Sequence, residues 1–533
     1  MSSTASSDMN SSFSSSWGLT AVFLVATLGW FLAIYARQRR NYPSFLTIFP
    51  IFGSSLQLAK HYDHMHDFLL EKFLRNEKLY NSKTFRAPMP TFDYYYTVDP
   101  DVVEHILKNN FANYPKGDKF HDIMEVLLGD GIFNSDGEVW KRQRKTASFE
   151  FASKILRDFS TVVFRDYAVK LADIVSGCTS RGQSFDMQDL FMRMTLDSIC
   201  KLGFGVEIGT LSASLPENKF AIAFDNANAW VTNRFVDPFW KVGSLLKLGR
   251  EAQLAKNAKI VDDFTYNVIK TRRAELQGKC ADEKKADILS RFMLLSDDPK
   301  NQINDKTLRD IVLNFVIAGR DTTAVTLSWF VYMLATHPDC GDKIYAELCK
   351  LETDEMSTAA IKASEDTTAG SQISSFAKLL TYDSLAKLAY LHAAITETLR
   401  LFPAVPEDIK GVLADDTLPD GKKVKAGDQI NFVPWCMGRM ESLWGEDARE
   451  YKPERWLSKD GVFQPVSPFK FTAFQAGPRI CLGKDSAYLQ MKMTAATLCR
   501  FFRFELVPGH QVKYRMMAIL SMANGLCVTA SER

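Results

Sequence analysis

Cys481 stands in a short stretch whose residue types suit a sulfur ligand held close to a flat group. Residues 474–483 read FQAGPRICLG, with two glycines that allow close backbone approach and a proline that stiffens the turn. The apolar spacing that follows predicts a helix over residues 484–502. Cys481 would then precede a helix N-terminus, where free N–H groups, the helix dipole and the charge of Arg479 favour a thiolate over a thiol.

A second stretch suits proton transfer. Residues 304–336 carry the longest helical pattern of the chain, and residues 318–323 in its middle read AGRDTT. Glycine and paired threonines are poor choices for a helix interior, and such local violations are typical of functional sites. The acid Asp321 next to the hydroxyl of Thr322 could relay protons, although a simple helix kink would look similar.

Two further sets of side chains have helical spacing. Trp140 and Arg144 are four residues apart and share a helix face, beside other basic residues that would also suit a basic surface helix. Glu397 and Arg400 have ion-pair spacing, which alone is a common feature of helix surfaces, and Arg455 lies in the later stretch PERW.

The content and order of these stretches resemble the cytochrome P-450 family. Residues 474–483 match its pattern Phe-x-x-Gly-x-Arg-x-Cys-x-Gly at every specified position. The resemblance implies a mainly α fold with a small β region, and haem b bound through the Cys481 thiolate. The other specified positions of the haem loop are Phe474, Gly477, Arg479 and Gly483.

The resemblance also implies roles for the other motifs. Trp140 and Arg144 would reach the haem propionates. Gly319 would leave room for dioxygen, Thr322 would hydrogen-bond it, and Asp321 would relay protons. A structural charge network would form among Glu397, Arg400 and Arg455.

Longer stretches are similar to the branch that hydroxylates long-chain fatty acids at or near the terminal methyl. They are residues 129–134, 145–151, 314–321, 401–408 and 477–492. An apolar pocket suits an alkyl chain, although it suits a sterol or a terpenoid equally well. Lys119 and Arg234 are candidate anchors for a carboxylate. The predicted pocket positions are Phe120, Ile123, Met124, Val316, Ile317, Ala404, Val405, Leu520 and Met522.

The composition limits the partners. Lys and Arg number 65 and Asp and Glu 63, so the net charge of +2 gives no reason to expect nucleic acid binding. The nine cysteines are scattered, which favours a reducing compartment over a disulfide framework. No Gly-x-Gly-x-x-Gly follows a strand pattern, so electrons from NADPH would arrive through a separate flavoprotein reductase. A non-catalytic haem sensor is the rival from another class, but it would not need a proton relay, a channel lid and a membrane anchor together.

The N-terminal region predicts membrane attachment. Residues 1–16 are serine-rich and predicted to be disordered, and residues 17–36 are apolar and long enough for a bilayer of roughly 30 Å. The arginines that follow place the body in the cytosol, on a single-pass anchor in the endoplasmic reticulum membrane. A cleaved signal peptide would carry its charge before the apolar run, and a buried core helix is the other alternative. A basic, Pro/Gly-containing hinge at 37–53 leads to a catalytic domain at 54–533.

Three internal segments complete the prediction. Residues 111–133 contain four Gly or Pro residues and are predicted to form a loop. Residues 220–248 correspond in the family to a mobile lid over the substrate channel. Residues 351–378 are rich in Thr, Ser, Ala and charges, which predicts a solvated insertion.

Overall fold

The computed structural model describes residues 21–33, 35–36, 42–151, 154–277, 287–296, 303–359 and 368–533. The predicted disordered segment at 1–16 lies outside these ranges. The predicted anchor at 17–36 and hinge at 37–53 lie partly outside them. Residues 21–33 and 35–36 are helical. Among the described residues, no helix combines the length and the apolar character needed to cross a membrane.

Helices make up most of the chain. In the N-terminal half they are α1 (Ser55–Lys60), α2 (Met65–Tyr80), α3 (Pro100–Glu104), α4 (Gly117–Leu128), α5 (Gly137–Phe151), α6 (Lys154–Ser180), α7 (Met187–Phe204), α8 (Lys219–Asn233), α9 (Trp240–Leu246) and α10 (Gly249–Leu276). In the C-terminal half they are α11 (Ile288–Ser296), α12 (Asp305–Val316), α13 (Thr322–Thr336), α14 (Pro338–Ala359), α15 (Ala369–Leu379), α16 (Tyr382–Ala386), α17 (Ala389–Leu401), α18 (Pro434–Met437), α19 (Glu441–Trp444) and α20 (Lys484–Phe501).

The β structure is small and lies in three sheets. One has the order β1-β2-β7-β4, in which β2 and β7 run parallel and the other pairs antiparallel. The second has the order β3-β9-β8, and the third pairs β5 with β6. The strands are β1 (Thr84–Pro88), β2 (Asp93–Thr97), β3 (Phe185–Asp186), β4 (Asp408–Gly411), β5 (Asp416–Thr417), β6 (Lys423–Val424), β7 (Gln429–Phe432), β8 (Phe502–Leu506) and β9 (Cys527–Glu532). The predicted mainly α fold with a small β region is confirmed.

The two motif-bearing helices form the middle of the core. Residues 488–499 of α20 are all buried, and this helix packs against α6, α14 and α17. Residues 323–331 of α13 are also buried, and α13 packs against α7 and α17. The Cys481 stretch and the AGRDTT stretch are therefore carried on rigid, neighbouring elements.

Residues 111–133 do not form the predicted loop, because α4 occupies most of them. Its apolar positions recur at helical spacing, and Asp136 accepts hydrogen bonds from the backbone N–H groups of Lys116 (3.0 Å) and Gly117 (2.9 Å). A distant carboxylate thus satisfies N–H groups at the helix N-terminus that would otherwise lack partners. The glycines that suggested a loop instead mark the helix ends, with φ of +78° at Gly117 and +52° at Gly129.

The segment 351–378 is less solvated than predicted. Its first part, to residue 359, continues α14, and residues 360–367 lie outside the described ranges. Its last part begins α15, whose Ile373 and Phe376 are buried. That helix packs against α6 and α20, so residues 369–378 belong to the body of the protein.

A buried charge network joins α17 to the loops that follow α18. Arg400 donates from Nε and Nη2 to the two oxygens of Glu397, each at 2.7 Å, and both side chains are 0% exposed. Arg400 also donates to the carbonyl oxygens of Ala448 (2.5 Å) and Glu450 (2.9 Å). Arg455 completes the predicted network, with its Nε 3.4 Å from Glu397 Oε1. Three distant segments are therefore held by one pair of opposite charges.

Replacing Glu397 with alanine would leave Arg400 buried without its carboxylate. We expect Glu397→Ala to lower the free energy of unfolding by about 3–5 kcal/mol, measured by urea denaturation. The control is Lys259→Ala, which removes the exposed Lys259–Asp263 pair and should cost less than about 1 kcal/mol. Equal denaturation midpoints for the two variants would contradict a structural role for the buried pair.

Candidate active site

The Cys481 loop is shaped by close contact with a neighbouring turn. Residues Gly477–Arg479 form a 3-10 turn, and the N–H of Cys481 donates to the carbonyl of Phe474 at 2.9 Å. Gly477 has a φ of +64°, and a Cβ at this position would lie 1.9 Å from the carbonyl oxygen of Leu107. Only glycine fits there, so the loop is held against the π-helical turn His105–Asn109.

Cys481 stands three residues before Lys484, the first residue of α20, as the sequence predicted, and the N–H of Gly483 donates a hydrogen bond to its sulfur. Even so, burial raises the pKa of the Cys481 thiol, while Gly483, Arg144 and Lys484 act in the opposite direction. The helix terminus and the nearby cations thus act on this thiol in the predicted direction, and burial opposes them. The side chain is exposed although it is desolvated, so it lines a recess within the protein.

Trp140 lies between two guanidinium groups. The Cζ of Arg479 is 4.5 Å and that of Arg144 is 5.9 Å from the Trp140 ring centroid. Arg144 donates to the carbonyl of Ile480 at 2.6 Å, so α5 is tied to the Cys481 loop. Arg479 pairs with Asp136 at 2.5 Å, so the Cys481 loop is also tied to the residues that precede α5.

A cluster of cations that the sequence did not reveal lies beside this loop. Lys116 and Lys410 both donate to one oxygen of Asp408, at 2.9 and 2.8 Å, and Gln475 donates to the other. Burial lowers the pKa of Lys410 to about 7. The Nε of Arg479 and the Oε1 of Gln475 are buried without a hydrogen-bond partner. Positive charge exceeds negative charge here, which suits a ligand that carries carboxylates.

The long helical pattern at 304–336 is broken by a π-helical turn, Ile317–Asp321, between α12 and α13. Thr322 follows this turn, and its Oγ1 donates to the carbonyl of Ala318 at 2.7 Å. A Cβ at Gly319 would lie 2.7 Å from the side chain of Ile199 on α7. The space beside Gly319 is thus taken by Ile199, and close helix packing accounts for this glycine.

Asp321 belongs to a buried charge cluster that the sequence motif did not predict. Arg320 is 1% exposed and donates from Nη1 to Asp321 Oδ1 at 2.7 Å and to Asp225 Oδ1 at 2.8 Å. Burial raises the pKa of Asp321 to about 7, and the charge of Arg320 opposes this. The only sequence signal was an adjacent Arg–Asp pair within an apolar helix.

The predicted pocket positions come from four places in the fold. Phe120, Ile123 and Met124 lie on α4, which packs against α8, α12 and β4. Ala404 is buried, and its carbonyl accepts the N–H of Leu520 at 3.0 Å. The remaining positions are also buried or half-buried in the core: Val316, Ile317, Val405 and Met522.

The C-terminal end of α4 is directly joined to α12. Asn314 on α12 accepts the N–H of Phe133 at 2.9 Å and donates to the carbonyl of Leu128 at 2.9 Å. A Cβ at Gly131 would lie 1.9 Å from the Asn314 side chain. Residues of α4 are therefore positioned by α12 itself.

The two carboxylate-anchor candidates differ in their partners. Arg234 donates to both oxygens of Glu251, at 3.0 and 2.6 Å, so its charge is already neutralised. Lys119 donates to the carbonyl of Gly427 at 2.6 Å and lies 3.6 Å from the Phe92 ring centroid. In the described part of the chain, no carboxylate pairs with Lys119.

Comparison with known proteins assigns the family. A sequence model of the family described as Cytochrome P450 matches residues 43–526. The chain belongs to the cytochrome P450 family. It is 57% identical over 518 residues to Cytochrome P450 704B1 of Arabidopsis thaliana, covering 94% of this chain and 97% of that protein. Cytochrome P450 704C1 of Pinus taeda is 49% identical over 525 residues, covering 97% of both chains. Cytochrome P450 86B1 of Arabidopsis thaliana is 40% identical over 512 residues, covering 94% of this chain and 88% of that protein.

This P450 is therefore a haem-thiolate monooxygenase that uses dioxygen and electrons from a redox partner. The site fits haem. A cysteine sulfur lines a recess, and the cations beside it exceed the local carboxylates, which suits the two haem propionates. A coordinating metal deprotonates a thiol, so ligation would supply the charge that desolvation withholds from Cys481.

We predict that Cys481→Ser abolishes the thiolate-type Soret absorption of the reduced carbonyl complex, because serine cannot provide the sulfur ligand. The matched control is Cys349→Ser, which changes another free, partly buried thiol and should keep the spectrum of the unmodified protein. Retention of that spectrum in Cys481→Ser would show that a different residue is the ligand.

Proposed function

We propose that this P450 hydroxylates a long-chain fatty acid at or near the ω carbon. The observation that carries the proposal is the combination of uniformly apolar pocket positions with a cation, Lys119, that forms no ion pair with a carboxylate of the described residues. Such a cation would bind the carboxylate end of an acid, whereas a sterol or terpenoid offers it no partner. The motif stretches that resemble the fatty acid branch give independent support.

Some residues of the chain would bind the haem, and others would deliver protons for the reaction. Cys481 would ligate the iron, and Trp140, Arg144 and Arg479 would hold the propionate edge, with Phe474, Gly477 and Gly483 shaping the loop. Bound haem supplies the activation of dioxygen and the oxygen transfer to carbon. Asp321 and Thr322 would pass protons to the dioxygen site through Oδ2 and Oγ1.

Electrons would come from NADPH through a separate flavoprotein reductase, because the chain contains no nucleotide-binding motif. The decisive experiment combines this P450 with such a reductase, NADPH and a saturated long-chain fatty acid. We expect a haem spin-state shift on binding and a terminally hydroxylated product. Lys119→Met should raise KM for the acid and leave KM for its methyl ester unchanged. Oxidation of sterols or terpenoids alone would contradict the fatty acid assignment, and no NADPH-dependent product from any lipid would favour a haem sensor.

The position of attack should depend on the width of the pocket near Val405. A chain end differs from its neighbouring methylenes only in shape, so selectivity requires a narrow apolar passage. We expect Val405→Ala to shift product from the terminal carbon toward in-chain carbons, and Ala404→Phe to reduce turnover. The control is Val169→Ala, a half-buried valine on α6, which should keep the product ratio. Mass spectrometry of the products measures the ratio of terminal to in-chain hydroxylation. An unchanged ratio in Val405→Ala would exclude this residue from the pocket wall.

Thr322→Ala should uncouple electron use from product formation. The substitution removes the hydroxyl next to Asp321 and leaves the proposed iron ligand in place. We expect NADPH consumption to continue, with more hydrogen peroxide and less hydroxylated acid. Thr326→Ala is the control, since Thr326 makes the same hydroxyl-to-carbonyl bond at 2.7 Å one turn later. Equal coupling in the two variants would remove Thr322 from the proton relay.

We further propose that residues 17–36 form a single-pass anchor in the endoplasmic reticulum membrane, with the catalytic domain in the cytosol. Support comes from a surface patch of five exposed apolar side chains at α9, of which Leu245 is 82% exposed. The Phe239 ring in this patch lies 6.2 Å from that of Phe52, so the patch lies beside the end of the hinge. The patch consists of Phe239, Val242, Leu245, Leu246 and Leu248.

If this patch enters the bilayer, its amides should be protected from hydrogen exchange when the full chain is reconstituted in vesicles. Residues 458–463, which include the exposed Val462 outside the patch, serve as the internal control and should not change. Leu245→Glu combined with Leu246→Glu should abolish the protection. Equal exchange with and without vesicles would refute contact of the patch with lipid. Survival of the catalytic domain when intact microsomes are treated with protease would refute the cytosolic orientation.

A further inference from the structure

Arg320 connects Asp321 to α8, the first helix of the segment that is predicted to form the lid. It lies in the π-helical turn before α13, and its guanidinium is shared between Asp321 on its own helix and Asp225 on α8. The Cζ of Arg320 also lies 5.8 Å from the ring centroid of Phe224, the neighbour of Asp225. Residues 220–248, which include most of α8, are the segment that the resemblance identifies as the lid.

The cluster contains two carboxylates and one guanidinium. Asp225 is 34% exposed, whereas Arg320 and Asp321 are almost completely buried. Two polar atoms in the cluster, Asp321 Oδ2 and Arg320 Nε, are buried without a hydrogen-bond partner. Asp321 therefore keeps one oxygen available for a proton while its other oxygen is held by Arg320.

We propose that Asp225 and Arg320 are positioning residues that make proton delivery by Asp321 depend on the closed position of α8. This inference rests on the relay role of Asp321 proposed above. With α8 closed, the guanidinium is divided between two carboxylates. When α8 moves away, Arg320 pairs with Asp321 alone and holds it as a carboxylate, so protons are not delivered while the channel is open to water.

The directions in which neighbouring groups shift the pKa of Asp321 agree with this arrangement. Burial is the main cause of the raised pKa of Asp321, Arg320 lowers it, and the charge of Asp225 raises it. Helix α7 also packs against the turn and brings Cys200 near both Arg320 and Asp197. Burial raises the pKa of Cys200, so it stays a neutral thiol, and Asp197 accepts hydrogen bonds from Thr210. Asp225 is thus the second carboxylate, besides Asp321, that the guanidinium of Arg320 contacts.

The test compares Asp225→Asn with a matched variant. Loss of the Asp225 charge should lower the pKa of Asp321, so the fall of coupled turnover with rising pH should begin about one pH unit or more lower. Peroxide release at neutral pH should rise accordingly. The control is Asp262→Asn. Asp262 is 37% exposed and pairs with Arg309, which likewise bridges to its own neighbour, Asp310, on α12. This control should keep the pH profile of the unmodified protein.

Variants of Arg320 test whether the pKa of Asp321 shifts in the opposite direction when the cation is removed. Arg320→Gln removes the cation, so the pKa of Asp321 should rise and the alkaline fall should move to higher pH. Because Arg320 is buried, this variant could lose haem loading, and Arg320→Lys, which keeps the charge, should retain the original profile. A readout independent of turnover is the infrared band of the protonated carboxyl in the haem-loaded protein, assigned by its loss in Asp321→Asn. Its titration midpoint should fall in Asp225→Asn.

The outcomes separate this inference from the proposed function. If Asp321→Asn leaves coupling unchanged, the relay role itself is wrong. If Asp321→Asn uncouples the reaction but Asp225→Asn and Asp262→Asn share one pH profile and one infrared midpoint, the relay stands and the lid connection is overturned. The pH profile can be measured on whichever lipid is oxidised, so it does not depend on the fatty acid assignment.

Discussion

The ion pair between Glu397 and Arg400 determines where much of the site lies. It is fully buried, and Arg400 also donates to the carbonyl oxygens of three residues outside α17, so α17 cannot shift without exposing unpaired charge. The chain leaves α17 directly into Ala404 and Val405 and then into β4, which carries Asp408 and Lys410. This buried pair therefore sets the position of the predicted pocket residues Ala404 and Val405 and of the cations at the edge of the Cys481 loop.

Close backbone contacts fix the remaining geometry. Gly477 brings the Cys481 loop against Leu107, and Gly319 brings the π-helical turn before α13 against Ile199 of α7. In both places a single Cβ would force atoms apart, so glycine is required for packing and not for flexibility. Asp136 plays a comparable part with its carboxylate, since it binds N–H groups at the start of α4 and also Arg479. Asp136 thus aligns α4 with the Cys481 loop.

The sequence predicted features that depend on local spacing. The helix after Cys481, the helical run around Asp321 and the Glu397–Arg400 pair all appear where the pattern placed them. Features that depend on distant segments were missed. The start of α4 needs Asp136, the Asp408 cluster joins residues from three separate segments, and the partner of Arg320 lies on α8. The burial that opposes ionisation of the Cys481 thiol was also missed, because desolvation is a property of the whole fold, whereas a helix terminus can be read from neighbouring residues.

The π-helical turn at Ile317–Asp321 has a consequence for how this helix can vary in sequence. Such a turn holds one residue more than an α-helical turn, and each residue of an α-helix rotates the following side chains by about 100°. A deletion of one residue here would restore regular α geometry and leave the register of α13 relative to α12 unchanged, because the remaining residues cover the same rotation. The buried face of α13 would keep its contacts with α7 and α17. A deletion elsewhere in α13 would turn that face by about 100°, so the π-helical turn is the place where this helix best tolerates a change in length.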